Sequence, residues 1–293
     1  MSWVLGLMLL PGAFPAAAQT AYSVRSDGGS TAGSLDDYLY SIDLATGEAI
    51  AIGPTGFEDV ESLAFAPGCT RLYGVDDVTD QLLTCDPATG GCKPVGPLKV
   101  DVTDTGLAFG RTGLLFMSTD APKKPTNLYR LNPYTGEAVR AGDQGQSVTG
   151  LAVNDTAIYG LGGDNSNNLV VIDPFTGHAN PVGSLGSAVK LSDGGLDFAA
   201  DGQLYGISDA SGRTGPSQVF TVDTETGHAT VVATVHDDKG KAISGFEGLA
   251  VQGGICSVAA PGVVTDVPTA SEWGLAMLTA MLVASGLFIL RRG

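Results

Sequence analysis

The chain is 293 residues long, with 42 glycines, 15 prolines and a formal net charge of −16 at pH 7. That charge repels nucleic acid and anionic lipid surfaces, so no nucleic-acid partner is expected. The Gly and Pro content, with no long helical periodicity through the middle, excludes a helical bundle and suits many short strands joined by tight turns.

Met1 to Gln19 begins with an apolar stretch from Trp3 to Leu10 and runs into Ala16, Ala17 and Ala18. This is the pattern of a secretory signal with an A-x-A-type cleavage site, here after Ala18, so residues 1–18 are expected to be a signal peptide. No Lys or Arg precedes the apolar stretch, so the basic start of such a signal is missing. Pro11 and Pro15 argue against a buried helix.

A four-part phrase then recurs five times: a Gly-Leu-Ala-Phe-like run, a Leu-Tyr-Gly-Val-like run ending in Asp, a Leu-Tyr-x-Ile-Asp-like run, and Thr-Gly with a hydrophobic finish. The Thr-Gly pairs stand at Thr46-Gly47, Thr89-Gly90, Thr135-Gly136, Thr176-Gly177 and Thr226-Gly227. Strand-length units repeating at roughly 40 to 50 residues predict a propeller or solenoid. Each Asp/Asn-Pro-x-Thr-Gly-like loop offers a side-chain acceptor, a restricted φ where Pro is present and a Gly able to take positive φ. Such residues are turn chemistry and not catalysts.

The inner strands are expected at Ser62–Ala66, Gly106–Gly110, Gly150–Asn154, Gly195–Ala199 and Gly248–Gln252, the most apolar runs with the smallest residues. After the last of these the second strand is absent; its phrase stands instead at Ala21-Tyr22-Ser23-Val24. An N-terminal strand can therefore close the ring, and closure removes exposed sheet edges. Ile255-Cys256-Ser257-Val258 is the rival for that place. The expected fold is all-β: a β-propeller of five four-stranded blades over residues 19–256, the last blade built from 246–252 and 21–53. The order of the phrase resembles NHL-type and related bacterial propeller repeats, and no Trp-Asp dipeptide marks a WD40 array.

Four cysteines in an exported chain favour disulfides. Cys85 and Cys92 flank one hairpin turn, while Cys69 and Cys256 follow equivalent strands of neighbouring units and would clasp first repeat to last. With no C-x-x-C pair, a thiolate metal site is not expected.

Just before the inner strands, Glu61, Asp104, Asp193 and Glu247 recur at nearly equivalent places, with Thr149 in the third repeat. If those strands line the axis, the carboxylates converge at one mouth, where hard oxygen ligands suit Ca²⁺. Glu247-Gly248-Leu249 resembles the metal-ligand glutamate region of lactonase and gluconolactonase propellers, which implies a Ca²⁺-dependent hydrolase or lyase as the alternative function. The other reading of the four is carboxylates in solvent or bonded to blade-to-blade amides. His178 and His228 fill a variable slot after the Thr-Gly turn, a poor place for a general base. His236 lies in a charged loop, and no catalytic sequence motif is present.

Residues 257–267 read as a linker. Val267-Pro268-Thr269-Ala270-Ser271-Glu272-Trp273-Gly274 then precedes an uncharged run ending at Leu290, followed by Arg291 and Arg292. As a helix, Gly274 to Leu290 spans roughly 26 Å, near the lower limit for a bilayer. The arginines are expected on the cytoplasmic side. Motif, apolar helix and basic end over 268–293 resemble the IPTL-CTERM sorting tail, a relative of the PEP-CTERM class, through Pro268, Thr269, Glu272, Trp273 and Gly274; Val267 and Ala270 depart from its pattern. That resemblance implies export across the inner membrane of a Gram-negative-type bacterium and an exosortase-type membrane peptidase as partner. The chain would be held in the membrane by its C-terminal helix before any cleavage. The function expected is a binding or display module of the cell envelope or extracellular matrix with an unknown ligand. A structural surface-layer component is a further alternative.

Overall fold

The structure is a computed structural model and describes residues 19–25, 37–119, 126–163, 166–189, 191–209 and 215–257. The expected signal peptide, the linker beyond Ser257 and the sorting tail with its apolar run lie outside the described residues. Among the described residues no helix is long and apolar enough to cross a membrane.

The described chain forms twenty strands in five antiparallel four-stranded sheets, the blades of a propeller. It starts with β1 (Thr20–Arg25), β2 (Tyr38–Asp43) and β3 (Ala49–Pro54). One blade follows with β4 (Val60–Phe65), β5 (Leu72–Asp76), β6 (Gln81–Cys85) and β7 (Cys92–Pro97). The next holds β8 (Thr105–Phe109), β9 (Leu115–Thr119), β10 (Asn127–Leu131) and β11 (Ala138–Asp143). A third contains β12 (Gly150–Val153), β13 (Ile158–Leu161), β14 (Asn168–Ile172) and β15 (Ala179–Ser184). The fourth has β16 (Asp193–Phe198), β17 (Leu204–Asp209), β18 (Gln218–Val222) and β19 (Ala229–Thr234), and β20 (Phe246–Val251) comes last.

β20 pairs with β1, in the order β20-β1-β2-β3, so the N-terminal strand closes the ring as the displaced phrase predicted. The rival segment forms instead a short 3-10 turn, Ile255–Ser257. The inner strands β4, β8 and β20 begin one to two residues earlier than expected, and β16 also takes in Asp193 and Gly194. A polar residue at a strand entrance reads as loop in sequence, yet Glu61 and Asp193 both sit within strands.

Two repeated contacts join the blades. An inner-strand Phe meets a second-strand Tyr of its neighbour edge to face in Tyr22–Phe65, Tyr73–Phe109 and Tyr159–Phe198, with centroids 5.7, 5.2 and 5.6 Å apart. Such pairs add about 0.5–1.5 kcal/mol beyond the area they bury. At the outer edge one backbone bond recurs at all five junctions. Cys92 N donates to Thr55 O, Ala138 N to Leu98 O, Ala179 N to Gln144 O, Ala229 N to Leu185 O and Ala49 N to His236 O, at 2.8–3.1 Å.

The Thr-Gly turns make the same junctions. Asp173 Oδ1 accepts from Phe175 N and Thr176 N, and Asp223 Oδ1 accepts from Glu225 N and Thr226 N. Those bonds hold both carboxyls below the usual carboxylate range. Both expected disulfides are present, Cys85–Cys92 across β6 and β7 and Cys69–Cys256 between the β4–β5 turn and the end of the described chain. Gly68 N also donates to Cys256 O at 2.7 Å, so the closing blade is tied to the first by a covalent and a hydrogen bond.

Candidate metal centre at the axial mouth

The five inner strands run parallel around the axis, so their first residues meet at one end. Glycines let them converge. A Cβ on Gly106 would lie 2.9 Å from Gly150 C, one on Gly150 2.9 Å from Gly194 O, one on Gly195 2.2 Å from Gly248 C, and one on Gly248 2.8 Å from Leu63 N. No Cβ fits at these distances without backbone movement, so the glycines form a floor of backbone packed on backbone. The fifth strand has Ser62, whose hydroxyl shares a 2.9 Å hydrogen bond with Thr105 Oγ1 across the junction.

Immediately before this floor stand Glu61, Asp104, Thr149, Asp193 and Glu247. The structure brings Glu61, Asp104 and Asp193 together: each offers an oxygen within 4.8 Å of the others. Asp193 and Glu247 are the charges acting most strongly on Glu247 and Glu61 respectively, which puts Glu247 in the same electrostatic cluster. Thr149 is buried and within reach of Gly194 N at 3.4 Å. A second acidic group was not foreseen from the sequence: Asp59, Glu61 and Asp77 also come within 4.8 Å of one another. Asp59 precedes β4 and Asp77 follows β5; the antiparallel pairing that sets Val60 opposite Asp76 brings them together, and Asp77 N donates to Asp59 O. Only the three-dimensional pairing could reveal this, because the two are not repeat-equivalent.

Other acids nearby have structural employment. Asp37 Oδ2 accepts from Val60 N at 2.7 Å, Asp209 Oδ1 from Gly245 N at 2.9 Å and Asp76 Oδ1 from Asp59 N at 3.3 Å. They tie the mouth loops to the blade ends, which accounts for the Asp closing the second run of the phrase. Glu61 differs. It is 5% exposed, and its Oε2 is shielded from solvent without any hydrogen-bond partner. Glu247 is more open as a residue, but its Oε2 is likewise shielded and unpartnered.

Burial pushes both carboxyls well above the usual range, and every charge that adds to the effect is negative: Glu247, Asp193, Asp104 and Asp59 on Glu61, and Asp193, Asp59, Asp37 and Asp209 on Glu247. Asp77 is pushed up to about 7 by burial and by Asp59, Asp104 and Asp76, partly offset by a hydrogen bond from the Asp104 backbone. Two carboxylates 4.8 Å apart repel by about 3 kcal/mol at an effective dielectric constant of 20, so one triad of three such pairs is costly when fully ionised. A divalent cation coordinated by oxygens would reverse that sign, and both acidic groups could hold one.

The histidines lie elsewhere. His178 and His228 follow the outer Thr-Gly turns, and His236 bonds across the outer junction through its backbone. At the other end of the inner strands, Asp197 accepts from Val251 N and Phe198 N, both at 2.8 Å, and burial raises it to about 7.

No protein-family model matches this chain, and no curated protein matches it significantly. Several solved structures are similar in part. A nidogen/laminin complex is 11% identical, with 76% of this chain and 78% of that one covered and a TM-score of 0.48. TolB from Acinetobacter baumannii is 14% identical, with 73% and 52% covered and a TM-score of 0.44, so the matched region spans about half of that chain. A gluconolactonase from Xanthomonas campestris is 14% identical, with 76% and 81% covered and a TM-score of 0.46.

Proposed function

We propose that this chain is an exported binding module of the cell envelope or extracellular matrix, and that the carboxylate mouth of its propeller takes a divalent cation with hard-ligand preference, Ca²⁺. The observation that carries the cation is Glu61 Oε2, buried and unpartnered among carboxylates whose charges all oppose it. A buried polar atom without a partner costs about 1–3 kcal/mol, and more when charged, so an arrangement that keeps one is accounted for by a ligand. Glu61, Asp104, Asp193 and Glu247 would hold the ion.

Export is supported by the two disulfides inside the propeller, since such bonds persist in oxidising compartments. It is supported also by the signal-like start and the tail carrying Pro268, Thr269, Glu272, Trp273 and Gly274, the expected substrate of an exosortase-type peptidase. The lactonase-like alternative needs a general base within hydrogen-bond reach of substrate at the mouth. Carboxyls at the mouth could fill that role as well as a histidine, so turnover of a lactone by the Ca²⁺-loaded chain is what separates the two readings.

The test is thermal unfolding of the full chain with Ca²⁺ and then with chelator. Ligand at a hundredfold excess over its Kd adds about 2.7 kcal/mol to the folded state. That is roughly 5–10 °C for a domain of this size. Glu247→Gln should shrink the shift. An unchanged midpoint in wild type at millimolar Ca²⁺ would reject the cation site.

A further inference from the structure

We propose that the mouth takes two divalent cations bridged by the carboxylate of Glu61, an inference that rests on the reading that the mouth binds a cation. Glu61 is the one residue common to both acidic groups, with Asp104 and Asp193 on one side and with Asp59 and Asp77 on the other. The first group comes from three inner-strand entrances, at the starts of the adjacent β4 and β8 and of β16 across the ring. The second comes from a single blade, at the paired ends of β4 and β5. Different parts of the fold thus deliver two sets of ligands to one side chain.

Each set matches one ion. Ca²⁺ binds oxygens at about 2.3–2.6 Å, so two of its ligands stand at most about 5 Å apart, and every pair within each group satisfies that limit at 4.8 Å. At that spacing the groups share Glu61 alone, which suits two ions side by side rather than one ion gathering all five carboxylates. A carboxylate has two oxygens and can serve two ions at once. Glu61 is buried, and its Oε2 has no hydrogen-bond partner.

Charge points the same way. One divalent ion at Asp104 and Asp193 leaves the carboxyls of Asp59 and Asp77, which lie within 4.8 Å of each other, without a counter-charge. A second ion supplies it. Occupancy of one position neutralises part of the charge on Glu61 and so lowers its contribution to the other. The two sites are therefore coupled through the shared ligand, and losing Glu61 costs both.

Counting bound ions decides the matter. The purified full chain is dialysed to equilibrium against Ca²⁺, and bound calcium is measured per chain for wild type, Asp77→Asn, Asp104→Asn and Glu61→Gln. The Glu61→Gln count supplies the background from other surface carboxylates. Relative to it, wild type should hold two additional ions and each Asp variant one. The unfolding midpoint in chelator verifies that each variant folds. Asp77→Asn is the informative one, because Asn keeps an acceptor for the Asp104 backbone and removes only a charge. A single additional ion in wild type overturns the bridge and leaves the cation reading standing. Two ions retained by Asp77→Asn also overturn it, by placing the second ion elsewhere. No ion above background overturns the bridge, and the cation reading falls with it when the wild-type midpoint is also unmoved by Ca²⁺.

Discussion

Replacing Gly136 by Ala tests how the blades are held, because Gly113→Ala in the same blade supplies the control. Both glycines have left-handed φ, +80° and +84°. Both substitutions therefore carry the conformational cost of an L residue there, about 1–2 kcal/mol. A Cβ on Gly113 meets nothing within 4 Å, whereas one on Gly136 would lie 2.2 Å from Gly96 O and 2.7 Å from Gly96 C of the preceding blade. Backbone cannot rotate aside as a side chain can, so the junction must open. Forced overpacking costs about 1–3 kcal/mol. Lengthening the adjacent 3.0 Å bond from Ala138 N to Leu98 O adds about 1 kcal/mol more. The expected totals are about 3–6 kcal/mol for Gly136→Ala and about 1–2 kcal/mol for Gly113→Ala. At roughly 2–4 °C per kcal/mol, calorimetry should find Gly136→Ala several degrees below Gly113→Ala. Equal midpoints would refute the claim that the Thr-Gly turns fasten the blades.

Three more outcomes follow from the same structure. The Cys69–Cys256 bridge closes a loop of 187 residues and Cys85–Cys92 one of 7; loop-closure entropy gives about 5 and about 2 kcal/mol, so Cys256→Ser should lower the midpoint more than Cys92→Ser in non-reducing buffer. In chelator, stability should fall as pH rises. The folded-state pKa values of Glu61, Glu247, Asp77 and Asp197 lie above their unfolded ones, so the unfolded chain ionises first, and the loss runs from near pH 4 up through about 7 for Asp77 and Asp197, with the two glutamates adding to it in the same direction. Chemical denaturation from pH 5 to 8 checks this, and Ca²⁺ should flatten the slope because it favours the ionised carboxylates; a chelated protein that gains stability over that range contradicts the burial of these groups. Ser62→Ala removes the buried hydroxyl pair with Thr105 and should cost about 1 kcal/mol, read from the shift of the denaturation midpoint.

The blades were legible because each is announced locally. Asp-Pro-x-Thr-Gly marks an outer hairpin and Gly-Leu-Ala-Phe an inner strand, and the displaced Ala21–Val24 phrase pointed to β1 as the closing strand. Cys85 and Cys92 could be paired from their hairpin, and Cys69 and Cys256 from ring closure. The convergence of Glu61, Asp104 and Asp193 was legible for the same reason: equivalent places in a repeat become neighbours around an axis. Asp59 and Asp77 were not, because they belong to one blade and meet through the β4–β5 register, which no repeat encodes. The second role of the Thr-Gly glycines was also hidden. Positive φ is readable from the turn, but the approach of Gly136 to Gly96 depends on how two blades dock. The inner-strand entrances were misplaced where carboxylates that line the axis looked like loop residues.

The most direct test of the cation reading is diffraction from crystals of the chain grown with Tb³⁺, with the ion located by its anomalous signal. A peak among Glu61, Asp104 and Asp193, within about 2.3–2.6 Å of their carboxylate oxygens, is the predicted result. Peaks confined to outer-turn carboxylates such as Asp173 and Asp223, with none at the mouth, would contradict it.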